Sequence, residues 1–127
     1  MDVGELVVRD VPLMRSDEDV QSAAQAMAGS DTRIVLIGSE EQLDGILTEH
    51  DILIRVVAAG LVPAETRVGA VMSSTLFTCR EDQPTEAAAA AMAEHRLKQM
   101  PVLDRAGRLL GLLTRKALAE AAGESAA

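Results

Sequence analysis

Short apolar runs separated by tight polar gaps recur twice along the chain. RIVLI (33–37) and LDGILT (43–48) flank GSEEQ, while MPVLD (100–104) and RLLGLLT (108–114) flank RAG. Brief β-rich runs bounded by Gly, Ser and charged residues read as strands, and the short gaps as hairpin turns, so each pair is predicted antiparallel. An Ala-rich stretch precedes each pair, near 18–29 and 84–95, and is predicted helical. Asp17 or Ser16 is the candidate cap of the first helix, and Pro84 suits the opening turn of the second. VPLM (11–14) and LFTC (76–79) are predicted as short leading strands, and a last helix follows Thr48 and Thr114. Each half therefore reads β-α-β-β-α.

The halves are copies. At an offset of 65, VGELV (3–7) falls on VGAVM (68–72), Arg15 on Arg80, Asp17 on Asp82, and AQAMA (24–28) on AAAMA (89–93). At an offset of 66, IVLI (34–37) falls on MPVL (100–103), Gly45 on Gly111 and Thr48 on Thr114. One inserted residue near 94–97 reconciles the two offsets. A half of this size with two or three strands is marginal alone. Two halves packed sheet to sheet, with pseudo-two-fold symmetry, would complete each other's core. The expected fold class is α+β, with repeat 1 over 1–60, a linker over 61–67 carrying Pro63, repeat 2 over 68–122 and a flexible tail over 123–127.

Composition narrows the function. Hydrophobic residues make up 48% of the 127, but Phe77 is the only aromatic, so the core must be aliphatic. Twenty acids against 12 Lys and Arg give a net charge of −8. A nucleic-acid partner would call for a basic stripe, and a single strand also for stacking rings. No nucleic-acid partner is therefore expected. Cys79, the single cysteine, has no intramolecular partner and reads as a small buried residue, which fits a reducing cytoplasm. The N-terminal MDVGELVVRDV has no signal-peptide pattern, and no apolar run approaches the ~20 residues of a membrane span, so neither export nor membrane insertion is expected.

The segments GILTEHD (45–51), MPVLDRAGRLLGLLT (100–114) and HDILIRVVAAGLVPAETRVGAVM (50–72) resemble a CBS-domain pair, or Bateman module, of the stand-alone bacterial type. The resemblance covers about residues 3 to 120. It implies a non-catalytic regulatory module that binds an adenosine-containing ligand (AMP, ADP, ATP or S-adenosylmethionine) in a cleft between the repeats. It also implies a homodimer and an effector protein that reads occupancy. No cofactor is required by this reading. The rival reading is an interaction or oligomerisation scaffold with no ligand. A more remote one is a nucleotide hydrolase.

Two chemical roles meet at Thr48 and Asp51, three residues apart at the predicted strand-to-helix junction. The plainer role is a capping box, in which each side chain accepts the other's orphan N–H. The sharper role, which the resemblance implies, is recognition of ribose: the Asp51 carboxylate accepts from the 2′- and 3′-hydroxyls. Free N–H groups at the helix start suit phosphate oxygens. His50, Arg55, Arg33 and, from the other half, Arg115 or Lys116 are candidate cations. Pro12, Leu13, Ile34 and Val35 are the candidate seat of the base. Thr114 keeps the capping role, but Ala117 replaces the acid. Full ribose recognition is thus expected only at the first repeat.

Other positions read more plainly. His50 and His95 have no Cys neighbour and no i, i+4 partner, so no metal site is predicted. His50 reads as a helix-surface residue unless it meets phosphate, and His95 as the cationic end of the second Ala-rich helix. Ser73, Ser74 and Cys79 have no recognisable base beside them, and no Gly-rich phosphate loop is present, so no catalytic residue is assigned. The helix predicted over 51–59 carries two apolar stripes, Ile52/Val56/Ala59 and Leu53/Val57. One stripe covers the sheet. The other calls for burial within the chain or against a second subunit.

Overall fold

Both predicted hairpins form, each as part of a three-stranded sheet. A computed structural model describes the backbone of residues 1–126 and the side chains of 1–123. In the first sheet β2 (Ile34–Gly38) and β3 (Leu43–Thr48) are antiparallel, with Ile34 opposite Thr48 and Val35 opposite Leu47. The register shifts at Ile37/Gly38, where Gly38 takes φ +134°, a conformation that L side chains rarely adopt. β1 (Leu13–Met14) runs parallel to β2 on its other edge. The second sheet repeats this order with β4 (Cys79–Arg80), β5 (Gln99–Leu103) and β6 (Leu109–Thr114).

The helices are α1 (Val20–Ala28), α2 (Glu49–Ile52), α3 (Val68–Val71), α4 (Thr85–His95) and α5 (Arg115–Ala126). The cap of α1 is Asp19, not Asp17 or Ser16. Its carboxylate accepts the Ser22 N–H at 2.8 Å, whereas Asp17 is engaged by Arg15 and the Ser16 carbonyl accepts the Gly69 N–H. The single helix predicted over 51–59 is instead α2 followed by a π-helical turn, Leu53–Val57. The wider turn is closed by Ala58 N–H to the Leu53 carbonyl at 2.9 Å. Of the first stripe Val56 is fully enclosed, Ile52 half-buried and Ala59 exposed, while Leu53 and Val57 of the second are both exposed.

The chain forms two compact units, residues 10–76 and residues 1–9 with the chain from 77 onward. The recurring Val-Gly segments explain this division. In the first unit Val68 N–H donates to the Glu18 carbonyl and Gly69 N–H to Ser16, at 2.8 and 3.0 Å. In the second, Val3 N–H donates to Gln83 and Gly4 N–H to Glu81, both at 2.9 Å. Each sequence copy thus lends its opening segment to the turn before the helix of the other copy. Residues 61–67, expected to link the halves, lie inside the first unit, where the Thr66 carbonyl accepts the Val20 N–H. Of the tail expected over 123–127, residues 123–126 extend α5 and residue 127 lies outside the described residues.

Each unit has its own aliphatic core. Val20, Ala23 and Met27 of α1 pack with Val35, Ile37, Leu47, Val56 and Val68 in the first. Val3, Cys79, Ala88, Met92, Met100, Val102 and Leu113 pack in the second. Phe77, the single Phe, Tyr or Trp, lies outside both and stacks on the His95 imidazole with centroids 4.0 Å apart.

Cys79 is buried, and its thiol donates to the Pro101 carbonyl at 3.6 Å. Burial pushes the thiol from its ordinary 9.0 up to about 11. The folded state therefore keeps a proton that the unfolded chain releases. This contribution is fully present below pH 9.0 and is lost as pH rises from there through about 11. The expected slope is about 1.4 kcal/mol per pH unit within that window. Urea unfolding at pH 8 and pH 10.5 reads it, and Cys79→Ala should abolish the Cys79 share of the fall.

Candidate functional site

The Thr48–Asp51 corner is built by the end of β3 turning directly into α2. Thr48 keeps extended backbone (φ −113°, ψ 167°) and caps α2. Its hydroxyl oxygen accepts the Asp51 N–H at 3.3 Å, and Asp51 Oδ2 accepts the Thr48 N–H at 2.9 Å. The Thr48 hydroxyl also donates to Oδ2 at 3.1 Å. The box is closed in both directions, and Asp51 is only 7% exposed. A carboxylate so enclosed needs partners for both oxygens. Oδ2 has Thr48. Oδ1 faces the Arg55 Nε at 3.9 Å, across one helical turn.

The other predicted residues divide by position. Ile34 stands opposite Thr48 in the hairpin. Val35 and Ile37 belong to the core of the first unit, so Ile34 and Leu36 occupy the opposite face of the sheet by the two-residue alternation. The Val35 side chain is fully enclosed, which leaves only its backbone for a ligand. Pro12 offers its carbonyl to the Leu36 N–H at 2.9 Å, and Leu13 is 40% exposed beside it. Arg33 takes φ +54°, unusual for a residue with a Cβ, and its Nη1 lies 3.6 Å from Glu49 Oε2. His50 is exposed in the first turn of α2. The Arg55 guanidinium is committed: Nη1 donates to the carbonyls of Val71 and Met72 at 3.2 and 3.1 Å. Sequence reasoning gave no sign of those two acceptors, because a backbone carbonyl has no signature of its own.

The second unit carries the matching corner in reduced form. Thr114 caps α5 by accepting the Ala117 N–H at 3.0 Å. Ala117 has no oxygen with which to answer. Arg115 donates from Nη2 to the Leu97 carbonyl at 3.1 Å, and Lys116 is exposed. Among the described residues no group of three or more His, Cys, Asp or Glu side chains is placed to hold a metal ion. None of their helices is long and apolar enough to cross a membrane.

The family model for the CBS domain matches this chain twice, over residues 3–58 and 68–124. The chain belongs to the CBS-domain family. It is 31% identical over 116 residues to an uncharacterized protein of Methanopyrus kandleri, covering 88% of this chain and 58% of that protein. It also matches the homoserine O-acetyltransferase of Methanosphaerula palustris at 29% identity, where it spans only 24% of the enzyme. A solved CBS-domain protein of Burkholderia ambifaria MC40-6 superposes with a TM-score of 0.86 at 26% identity, over 96% of this chain and 93% of that one. The CBS domain pair of protein MJ0100, solved with 5′-methylthioadenosine and S-adenosyl-L-methionine, shares the fold with a TM-score of 0.85 at 21% identity, over 98% of each chain.

Proposed function

We propose that this chain is a non-catalytic regulatory module that binds an adenosine-containing ligand at the Thr48–Asp51 corner and passes occupancy to a partner protein. The observation that supports the reading is the buried Asp51 carboxylate, with Oδ2 spent on Thr48 and Oδ1 opposed only by a guanidinium at 3.9 Å. A charged acceptor with one unspent oxygen is suited to a vicinal diol. Both molecules bound by the MJ0100 pair are adenosine derivatives, so each carries a ribose diol beside its adenine. AMP, ADP, ATP and S-adenosylmethionine are the first ligands to test, and none is required as a cofactor.

A rival observation favours a scaffold without ligand. No buried side-chain N or O atom among the described residues lacks a hydrogen-bond partner, and the capping box by itself gives Thr48 and Asp51 Oδ2 a structural role. Calorimetry separates the readings. The proposal expects one adenosine ligand per chain, and Asp51→Ala or removal of the ligand's 2′-hydroxyl should cost about 1.5–3 kcal/mol, the worth of a hydrogen bond to a charged group. Two ligands per chain, or equal affinity in Asp51→Ala, would contradict it. No binding by any nucleotide, with no thermal shift at millimolar ligand, would leave the scaffold.

The partner proposed for the second apolar stripe is another copy of the chain. Leu53 and Val57 are 57% and 61% exposed and line a groove of about 390 Å³ with Ala24, Met27 and Ala28 of α1, and Ile54 beside them in the chain is 49% exposed. Exposed apolar side chains gathered on one face mark an association surface. Sedimentation of the intact chain reads the stoichiometry.

A further inference from the structure

Arg55 was a candidate ligand cation in the sequence, yet its guanidinium is turned to a different use. Nε faces Asp51 Oδ1 at 3.9 Å, and Nη1 donates to the Val71 and Met72 carbonyls at 3.2 and 3.1 Å. Those carbonyls close α3, where a short helix leaves its last acceptors without intrahelical donors. The next residue, Ser73, exchanges two backbone hydrogen bonds with Ile46 of β3, at 2.9 and 3.0 Å. β3 then runs to Thr48, whose N–H and hydroxyl are held by Asp51 Oδ2. The contacts form a closed ring: Asp51, Arg55, Met72, Ser73, Ile46, Thr48 and back to Asp51.

We propose that Arg55 is a positioning residue that ties the Asp51 carboxylate to the end of α3, so that a change in what Oδ1 accepts is felt at the Ile46–Ser73 bridge. The planar guanidinium suits this role. It presents several donors in a fixed fork, and here it serves a carboxylate on one side and two carbonyls on another. A lysine ammonium on its flexible stem cannot hold the same three acceptors at once. The π-helical turn Leu53–Val57 carries Arg55 at its centre, and such turns accompany functional positions in helices. A diol donating to Oδ1 disperses the carboxylate charge and leaves the guanidinium held chiefly by the carbonyls. Occupancy then tightens residues 72–73. The identity of the signal rests on the ribose reading above, but the link itself operates in the empty protein and is measurable there.

The test is a double-mutant cycle on the full chain without ligand, using Asp51→Asn, Arg55→Gln and the double variant. Amide exchange of Ile46 and Ser73, followed residue by residue by NMR, is the readout. Each single change is expected to speed exchange at both amides. The double variant is expected to fall short of the product of the two effects by about threefold or more, as for groups in one network. Effects that simply multiply, or a bridge unmoved by either change, overturn the proposal. Arg55→Lys keeps the charge and guards against a failure of Arg55→Gln to fold. It is expected to behave as Arg55→Gln, and full rescue by lysine would reduce Arg55 to a surface charge and overturn the link. With saturating AMP, exchange at the bridge should slow in the native chain but not in Arg55→Gln that still binds. Slowing in both overturns the link while sparing the ribose reading. Failure of AMP, ADP, ATP and S-adenosylmethionine to bind the native chain would sink the ribose reading, and the ligand-free cycle would still decide the link.

Discussion

Gly111→Ala is expected to destabilise the protein by about 3 kcal/mol, and Gly45→Ala by about half of that. The two glycines occupy the same place in the two copies, on the edge strands β6 and β3, where another segment crosses close above. They differ in backbone, since Gly111 alone takes a positive φ, +159°, and in what crosses. A Cβ on Gly111 would land on the Val8 carbonyl oxygen and come within 3.0 Å of its carbon and 3.2 Å of the Arg9 Cα. All three atoms are backbone. They are pinned by Val8 N–H to the Leu112 carbonyl at 2.7 Å and Leu112 N–H to the Val8 carbonyl at 2.9 Å. Relief requires that this bridge break or the strand shift. On Gly45 the nearest atom is the Met72 sulfur, the end of a flexible side chain that can take another rotamer, although the Ser73 carbonyl at 2.9 Å remains. Urea unfolding of the two variants measures both numbers. Equal costs would show that the hardness of the crossing atoms is not what decides the penalty.

Those crossings mark the border of what the sequence disclosed. The hairpins, the two Ala-rich helices and the capping role of Thr48 follow from local periodicity and spacing, which depend on residues a few places apart. The recurrence of Gly45 and Gly111 was visible too, but the segments that press on them, around 72–73 and 8–9, are set by the chain's return path. The match of VGELV to VGAVM showed the repeat without showing that each copy docks on the turn of the other. The cap of α1 was expected at Asp17 or Ser16, and Asp19 was missed because Asp17 and Asp19 are chemically alike and nothing local shows that Arg15 captures Asp17. The π-helical turn Leu53–Val57 replaced a predicted plain helix, a local shift of hydrogen-bond register that hydrophobic periodicity does not encode. At the candidate site, the Thr48–Asp51 pairing was legible from its three-residue spacing. The destination of Arg55 was not, since its acceptors are carbonyls 16 and 17 residues onward.

Leu47→Ala and Leu113→Ala should each cost about 2–5 kcal/mol, the range for truncating a buried leucine, yet only the first should disturb ligand binding. Both side chains are fully enclosed, Leu47 in the core of the first unit and Leu113 in that of the second. Each immediately precedes the threonine that caps the following helix. Removing either leaves a cavity that the sheet fills only in part by moving inward. At Leu47 that movement drags Thr48, and with it the N–H and hydroxyl that orient Asp51 Oδ2. At Leu113 it drags Thr114, which holds the Ala117 N–H across the corner. Chemical denaturation of the two variants should therefore give similar losses, while calorimetry with an adenosine ligand should show weaker binding for Leu47→Ala alone. If Leu113→Ala weakens binding as much, the recognition of the sugar is not confined to the corner that kept its acid.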